Sequence, residues 1–133
     1  VGDTMGDKGD KQGTVMRAGI PVLRILSIEQ AHEFYLGFLG FSVDWEHHFE
    51  PGLPLYSQIS RSGLVLHLSE HRGDGTPGAV VWAAVDDVSA LRTELSQKRY
   101  SGTLADIDAG APGGPTLELT DPFGNVLRFC QPA

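Results

Sequence analysis

The sequence predicts an α+β fold made of two βαβββ modules whose curved sheets surround a cleft. Three observations carry that prediction. Short runs alternate apolar with polar residues, as half-buried strands do. Two helical stretches, opening at Ile28 and Val88, start 60 residues apart, each flanked by such runs. The closing stretch, Leu117 to Phe129, turns back through Asp121-Pro122-Phe123-Gly124-Asn125 as a β-hairpin. Helices on one side of each sheet leave the other side to line a cleft, the default place for a ligand.

Residues 1–18 have no apolar period and read as a disordered or artificially appended segment, leaving 19–133 as a single domain. Its two modules fall at about 19–73 and 78–131. Ile20 to Leu26 is the first strand, with Pro21 tolerable near its beginning. Ser27 caps a helix in a Ser-x-x-Gln box with Gln30, and Ile28, Ala31, Phe34, Tyr35 and Phe38 recur at helical spacing before Gly40 ends it. Strands follow at Phe41–Phe49, Leu55–Arg61 and Leu64–Ser69, the last two joined by Ser62-Gly63. Glu70 to Gly78 is a Gly-rich loop between the halves. The second half repeats the order. Val80–Val85 is a strand, Asp87 caps a helix with Val88, Leu91 and Leu95 inward, Thr103–Ile107 is a further strand, and the hairpin supplies two more.

Composition excludes several classes. A hydrophobic fraction of 41% allows a real core, while a formal charge of -7 opposes a phosphate-binding surface and favours a cationic or neutral partner. No apolar run approaches the ~20 residues of a membrane span, and no signal segment opens the chain, so the expectation is a cytoplasmic protein with neither nucleic-acid nor membrane partners. The single cysteine, Cys130, excludes an intrachain disulfide framework and multi-cysteine zinc patterns. There is no Gly-x-Ser-x-Gly elbow for a serine hydrolase and no Lys-bearing phosphate loop.

Among the five histidines, His32 falls on the polar face of the first helix. His47 and His48 are adjacent on a strand and point to opposite faces, so they cannot share an ion. His67 alternates with Leu66 and Leu68 and points away from the leucine face, where it serves better for binding than for metal. Trp45, Phe49, Tyr56 and Trp82 sit on strands where an aromatic ring can stack on a ligand; for the two tryptophans, cleft and core both stand open. Arg128 lies on the face of the last strand opposite Leu127 and Phe129.

Pro21-Val22-Leu23, the helix Ala31-His32-Glu33-Phe34-Tyr35, the run Leu39-Gly40-Phe41-Ser42-Val43-Asp44-Trp45 and the final Asp121-Pro122-Phe123-Gly124-Asn125, in that order, resemble the glyoxalase/bleomycin-resistance family, or vicinal oxygen chelate superfamily, over residues 20–131. The resemblance implies paired βαβββ modules in a homodimer. Metal-dependent members of that family place His, Gln or Glu at four strand positions, which fall here on Ile20, His67, Val80 and Arg128. Two apolar side chains and a permanent cation cannot hold a divalent ion. The chain therefore resembles the metal-free, bleomycin-resistance-like branch, which sequesters a bulky cationic antibiotic between subunits. Asp44 and Trp45 match that branch's acidic-aromatic pair, and Trp82 matches an aromatic opening its second half. Where a Trp-Gly commonly precedes the last hairpin, this chain has Ala111-Pro112-Gly113-Gly114.

The expectation is a metal-free, cofactor-free binding protein for a cationic, aromatic small molecule, with Asp44, Trp45, His47, Phe49, Tyr56, His67, Trp82 and Arg128 as ligand-binding residues. The alternative is an enzyme of the same fold, a lyase, isomerase or dioxygenase using His67.

Overall fold

The computed structural model describes residues 13–48, 50–52, 54–100 and 102–133. Of the N-terminal segment expected to be disordered, residues 1–12 lie outside the described residues, and 13–19 are exposed without helix or strand. Strand β1 is Val22–Arg24, and the Ser27 hydroxyl accepts from the Gln30 amide at 3.2 Å to open α1, Ile28–His32. From Glu33 to Phe38 the helix continues with the wider π turn, where Leu39 N–H donates to Phe34 C=O. Gly40, at φ 76°, ends it in the left-handed conformation open to glycine. Then come β2 (Ser42–His48), β3 (Leu55–Arg61) and β4 (Leu64–Ser69), followed by β5 (Val80–Ala84), α2 (Val88–Ser96), β6 (Thr116–Thr120) and β7 (Val126–Cys130).

The strands form two half-sheets, ordered β1-β4-β3-β2 and β5-β7-β6. In each, the strand before the helix pairs in parallel with the last strand of its module, Val22 opposite His67 and Trp82 opposite Arg128. The second module lacks one predicted strand. Thr103–Ile107 is irregular, and only Asp108 bridges to Thr116. A reason is visible in the side chains. Arg92 of α2 donates to the Ala105 carbonyl at 2.8 Å and reaches Asp106 at 3.2 Å, so a helix side chain takes backbone that a ladder would have used.

Alternation decides which face is core. Leu23, Ile59, Leu66 and Leu68 from one half-sheet and Val81, Leu117, Leu127 and Phe129 from the other share a single core with Phe34, Tyr35, Phe38, Val88 and Leu95 of the helical segments. Phe34, Phe38 and Tyr100 add ring contacts, the last two stacked at 4.3 Å.

The two modules also grip each other crosswise. The Asp121 carboxylate, buried in the β6–β7 hairpin, accepts from the Tyr35 hydroxyl of the first module at 2.8 Å, from the Phe123 and Asn125 amides and from the Asn125 side chain. Asn125, fully buried, completes the tie: its amide nitrogen donates to Arg24 C=O, and its oxygen accepts from the Gly78 and Ala79 amides ahead of β5. Desolvation by burial, then the Asp121 charge, raise the Tyr35 phenol far above its ordinary value, so it remains a donor. Reciprocally, Arg61 at the end of β3 makes a two-pronged pair with Glu94 of α2, at 2.9 and 2.7 Å, and donates to Leu39 C=O. Lys98 donates to Phe38 C=O and lies 3.6 Å from Glu94.

Two outcomes follow from these ties. Asp121→Ala would strand several buried donors and should cost about 3–5 kcal/mol, against about 1–3 kcal/mol for Tyr35→Phe, as read from denaturant midpoints; equal, negligible shifts would contradict the tie. Arg61 holds the Glu94 carboxyl below its ordinary value of 4.5 against an opposing desolvation. A folded pKa below the unfolded one adds stability that is present above pH 4.5 and is lost as pH falls through the folded value. Both partners are more than a third exposed, so the gain is about 1 kcal/mol or less after solvent screening. Melting curves of Glu94→Gln should therefore lie slightly below wild type at neutral pH and converge with it in acid.

Candidate functional site

The same alternation that buries the leucines leaves a polar, aromatic face on the other side of the first half-sheet. On β3, Tyr56, Gln58 and Ser60 face outward while Leu55, Ser57 and Ile59 are buried. On β4, His67 stands between buried Leu66 and Leu68, as expected. On β2, strict alternation would send Asp44 and Trp45 to opposite faces. The ladder instead shifts between Val43, opposite Ile59, and Trp45, opposite Gln58. This bulge leaves Asp44 as the extra residue and lets adjacent side chains serve one face. Trp45 stacks parallel to Tyr56, centroids 6.0 Å apart and 12° between planes, and meets the edge of His67 at 5.3 Å.

A continuous set of hydrogen bonds joins the polar groups. Ser60 Oγ and Gln58 Nε2 donate to the two Asp44 carboxylate oxygens at 3.0 and 3.1 Å. Gln58 Oε1 lies 3.0 Å from His67 Nε2, and the Tyr56 hydroxyl lies 2.7 Å from His67 Nδ1. Burial, then the charge of Asp74, raise the Tyr56 phenol above its ordinary value. His47 stands opposite Tyr56 in the ladder and so on the same face, whereas His48 stands opposite Leu55 on the other. Phe49, also a predicted ligand-binding residue, lies outside the described residues.

Trp82 and Arg128 are neighbours on the open face of the second half-sheet. Arg128 Nε donates to Glu118 at 3.0 Å across the ladder. The Ala111–Gly114 loop comes close to Trp82: a side chain at Gly113 would sit 3.8 Å from the indole and 3.6 Å from Cys130 Sγ. The question left open for the tryptophans is answered here. Trp45 is 42% and Trp82 53% exposed, so neither is core.

The seven of the eight predicted residues that are described do not line the main cavity together. A cavity of about 610 Å³ lies where the β3–β4 turn approaches β5 and the start of α2, and of the seven described only Trp82 lines it, with Phe41, Leu64, Asp86, Leu91 and the Arg61–Glu94 pair among the others. Sequence reasoning missed Gln58 and Ser60, which orient Asp44, and Glu118, which pairs Arg128. Alternation in Leu55–Arg61 could have found the first two, since it puts them on the face of Tyr56.

At the four positions that the sequence resemblance assigns to metal ligands, Ile20 and Val80 are exposed apolar side chains, Arg128 is ion-paired, and both ring nitrogens of His67 are engaged. That donor set does not fit a divalent ion. Among the described residues no group of three or more His, Cys, Asp or Glu is placed to hold one, and no helix is long and apolar enough to cross a membrane.

Comparison with solved structures gives the same fold in proteins of low identity. The bleomycin-binding protein from bleomycin-producing Streptomyces verticillus, complexed with copper(II)-bleomycin, is 22% identical with a TM-score of 0.69, covering 91% of this chain and all of that one. TnmS3, an antibiotic-binding protein from Streptomyces sp. CB03234, is 23% identical with a TM-score of 0.63 over 90% of this chain and all of that one. A bleomycin resistance determinant encoded on the transposon Tn5 is 18% identical with a TM-score of 0.65, over 88% and 98% of the two chains. No curated protein matches the chain. The family model described as "Glyoxalase superfamily protein" matches residues 8–133, nearly the whole sequence and both half-sheets, and the chain therefore belongs to the glyoxalase superfamily.

Proposed function

We propose that this protein binds a cationic small molecule carrying a flat ring and acts by holding it, as a resistance protein against a toxic compound, without metal or cofactor. The observation that carries the reading is the β2 bulge, which sets a carboxylate and an exposed indole side by side on a face with Tyr56 and His67. A ring stacked on Trp45 with its charge near Asp44 gains about 0.5–2 kcal/mol from the aromatic contact. The formal charge of -7 attracts such a ligand. Similar folds in the bleomycin-binding and antibiotic-binding proteins above support the class of ligand.

The open face of one half-sheet, with Trp45 exposed on it, supplies one wall of a binding site. We place the other wall in a second copy of the chain, with the face bearing Trp82 and Arg128 laid opposite Asp44 and Trp45. The unsuitable donors at Ile20, Val80 and Arg128 support metal-free binding over the enzymatic alternative.

Trp45→Ala should weaken a cationic aromatic ligand roughly three- to thirtyfold in calorimetric titration, the range of one stacking contact. Because Trp45 is 42% exposed, the variant should melt close to wild type, within about 1 kcal/mol. Asp44→Asn should weaken binding mainly at low salt, since an exposed charge is screened over about 8–10 Å at physiological ionic strength. Unchanged affinity in both variants would reject the site. Elemental analysis and light scattering on one sample, purified without chelator, should give no stoichiometric divalent metal and twice the 14.3 kDa chain mass; one ion per subunit, lost in His67→Ala, would favour the enzyme.

A further inference from the structure

The hydrogen bonds on the open face have a direction, and Asp44 sets it. An ionised carboxylate only accepts, so the Gln58 group facing it at 3.1 Å is the amide NH2. Gln58 must then turn its carbonyl oxygen to His67 Nε2, 3.0 Å away. A carbonyl also only accepts, so Nε2 carries a proton, and in the neutral imidazole Nδ1 is then bare. The Tyr56 hydroxyl, 2.7 Å from Nδ1, therefore donates. Ser60 donates to the other carboxylate oxygen at 3.0 Å. From Tyr56 through His67 and Gln58, each bonded proton points towards Asp44.

The consequence concerns what the face can offer. Both hydroxyl protons and the imidazole N–H are already used. Apart from the second N–H of the Gln58 amide and the indole N–H of Trp45, what these groups still offer is acceptor capacity, on the Asp44 carboxylate and the Tyr56 oxygen. We propose that Asp44, through Gln58 and His67, fixes this face as a hydrogen-bond acceptor, so that its ligand is a flat-ringed cation bearing N–H donors, an amine, amidinium or guanidinium, in preference to a quaternary ammonium. This deepens the function proposed above and rests on it. A quaternary cation would gain Coulomb and cation–π attraction but would desolvate acceptors without replacing their hydrogen bonds, and such a mismatch is what a polar site rejects.

Two measurements on the full chain separate this inference from the reading beneath it. In ligand-free protein, ¹⁵N–¹H correlation of the His67 ring should show a neutral imidazole protonated on Nε2 near neutral pH, with that preference lost in Asp44→Asn. An Nδ1–H tautomer or an imidazolium would overturn the directional chain. Chemical-shift titration with benzamidine and with phenyltrimethylammonium, both flat singly charged cations, should favour benzamidine at least about tenfold. The gap should narrow in Asp44→Asn and in Tyr56→Phe, the latter removing one acceptor oxygen while keeping the ring. Equal binding of both probes would overturn the inference and leave the cationic-ligand reading standing. Binding of neither would overturn both.

Discussion

The buried carboxylate of Asp121 is the constraint on which the arrangement of the two modules depends. A charge at that depth is tolerable only with its acceptor sites filled, and here four donors fill them, one from 86 residues away in the other module. Asn125 extends the same knot to β1 and to the start of β5. The hairpin is thus a joint as well as a turn. Its counterpart, Arg61 on Glu94, lies at the boundary with water and is the weaker clasp, although it also satisfies a carbonyl where the first helix ends.

With the modules tied through their helix-facing sides, much of the opposite face of each half-sheet is left uncovered among the described residues. That is why two tryptophans can be more than two-fifths exposed in a chain with an ample core. Large aromatic surface kept in water beside ordered polar groups is characteristic of a binding surface. The face around Asp44 is ordered by its own hydrogen bonds before any ligand arrives, which lowers the entropy lost on binding.

The bulge in β2 shows how one residue of register changes chemistry. With regular pairing Trp45 would have pointed with Val43 towards the buried side, and the acid and the ring could not have acted on one ligand. The extra residue also increases local twist and interrupts pairing on an edge strand, which discourages further strand addition there.

The sequence by itself determined the local devices: Ser27 and Asp87 as caps, Gly40 as a stop, the turn at Asp121–Asn125, and the outward direction of His67 between two buried leucines. Each depends on the chemistry of one residue or on a period of two or 3.6, and both can be read along a chain. The family resemblance was legible for the same reason, being carried by those local runs. Tertiary structure alone decided the rest. Thr103–Ile107 did not become a strand, and its Ala105 carbonyl is taken by Arg92, a helix side chain distant in sequence. The union of Asp44 with Trp45 depended on an offset between two strands, which belongs to the pair and is written in neither. The partner of Asp121 was a tyrosine in another module, and no spacing rule connects them. Local geometry is encoded residue by residue, whereas register, long-range hydrogen bonds and the choice of which face stays open arise only when the modules meet.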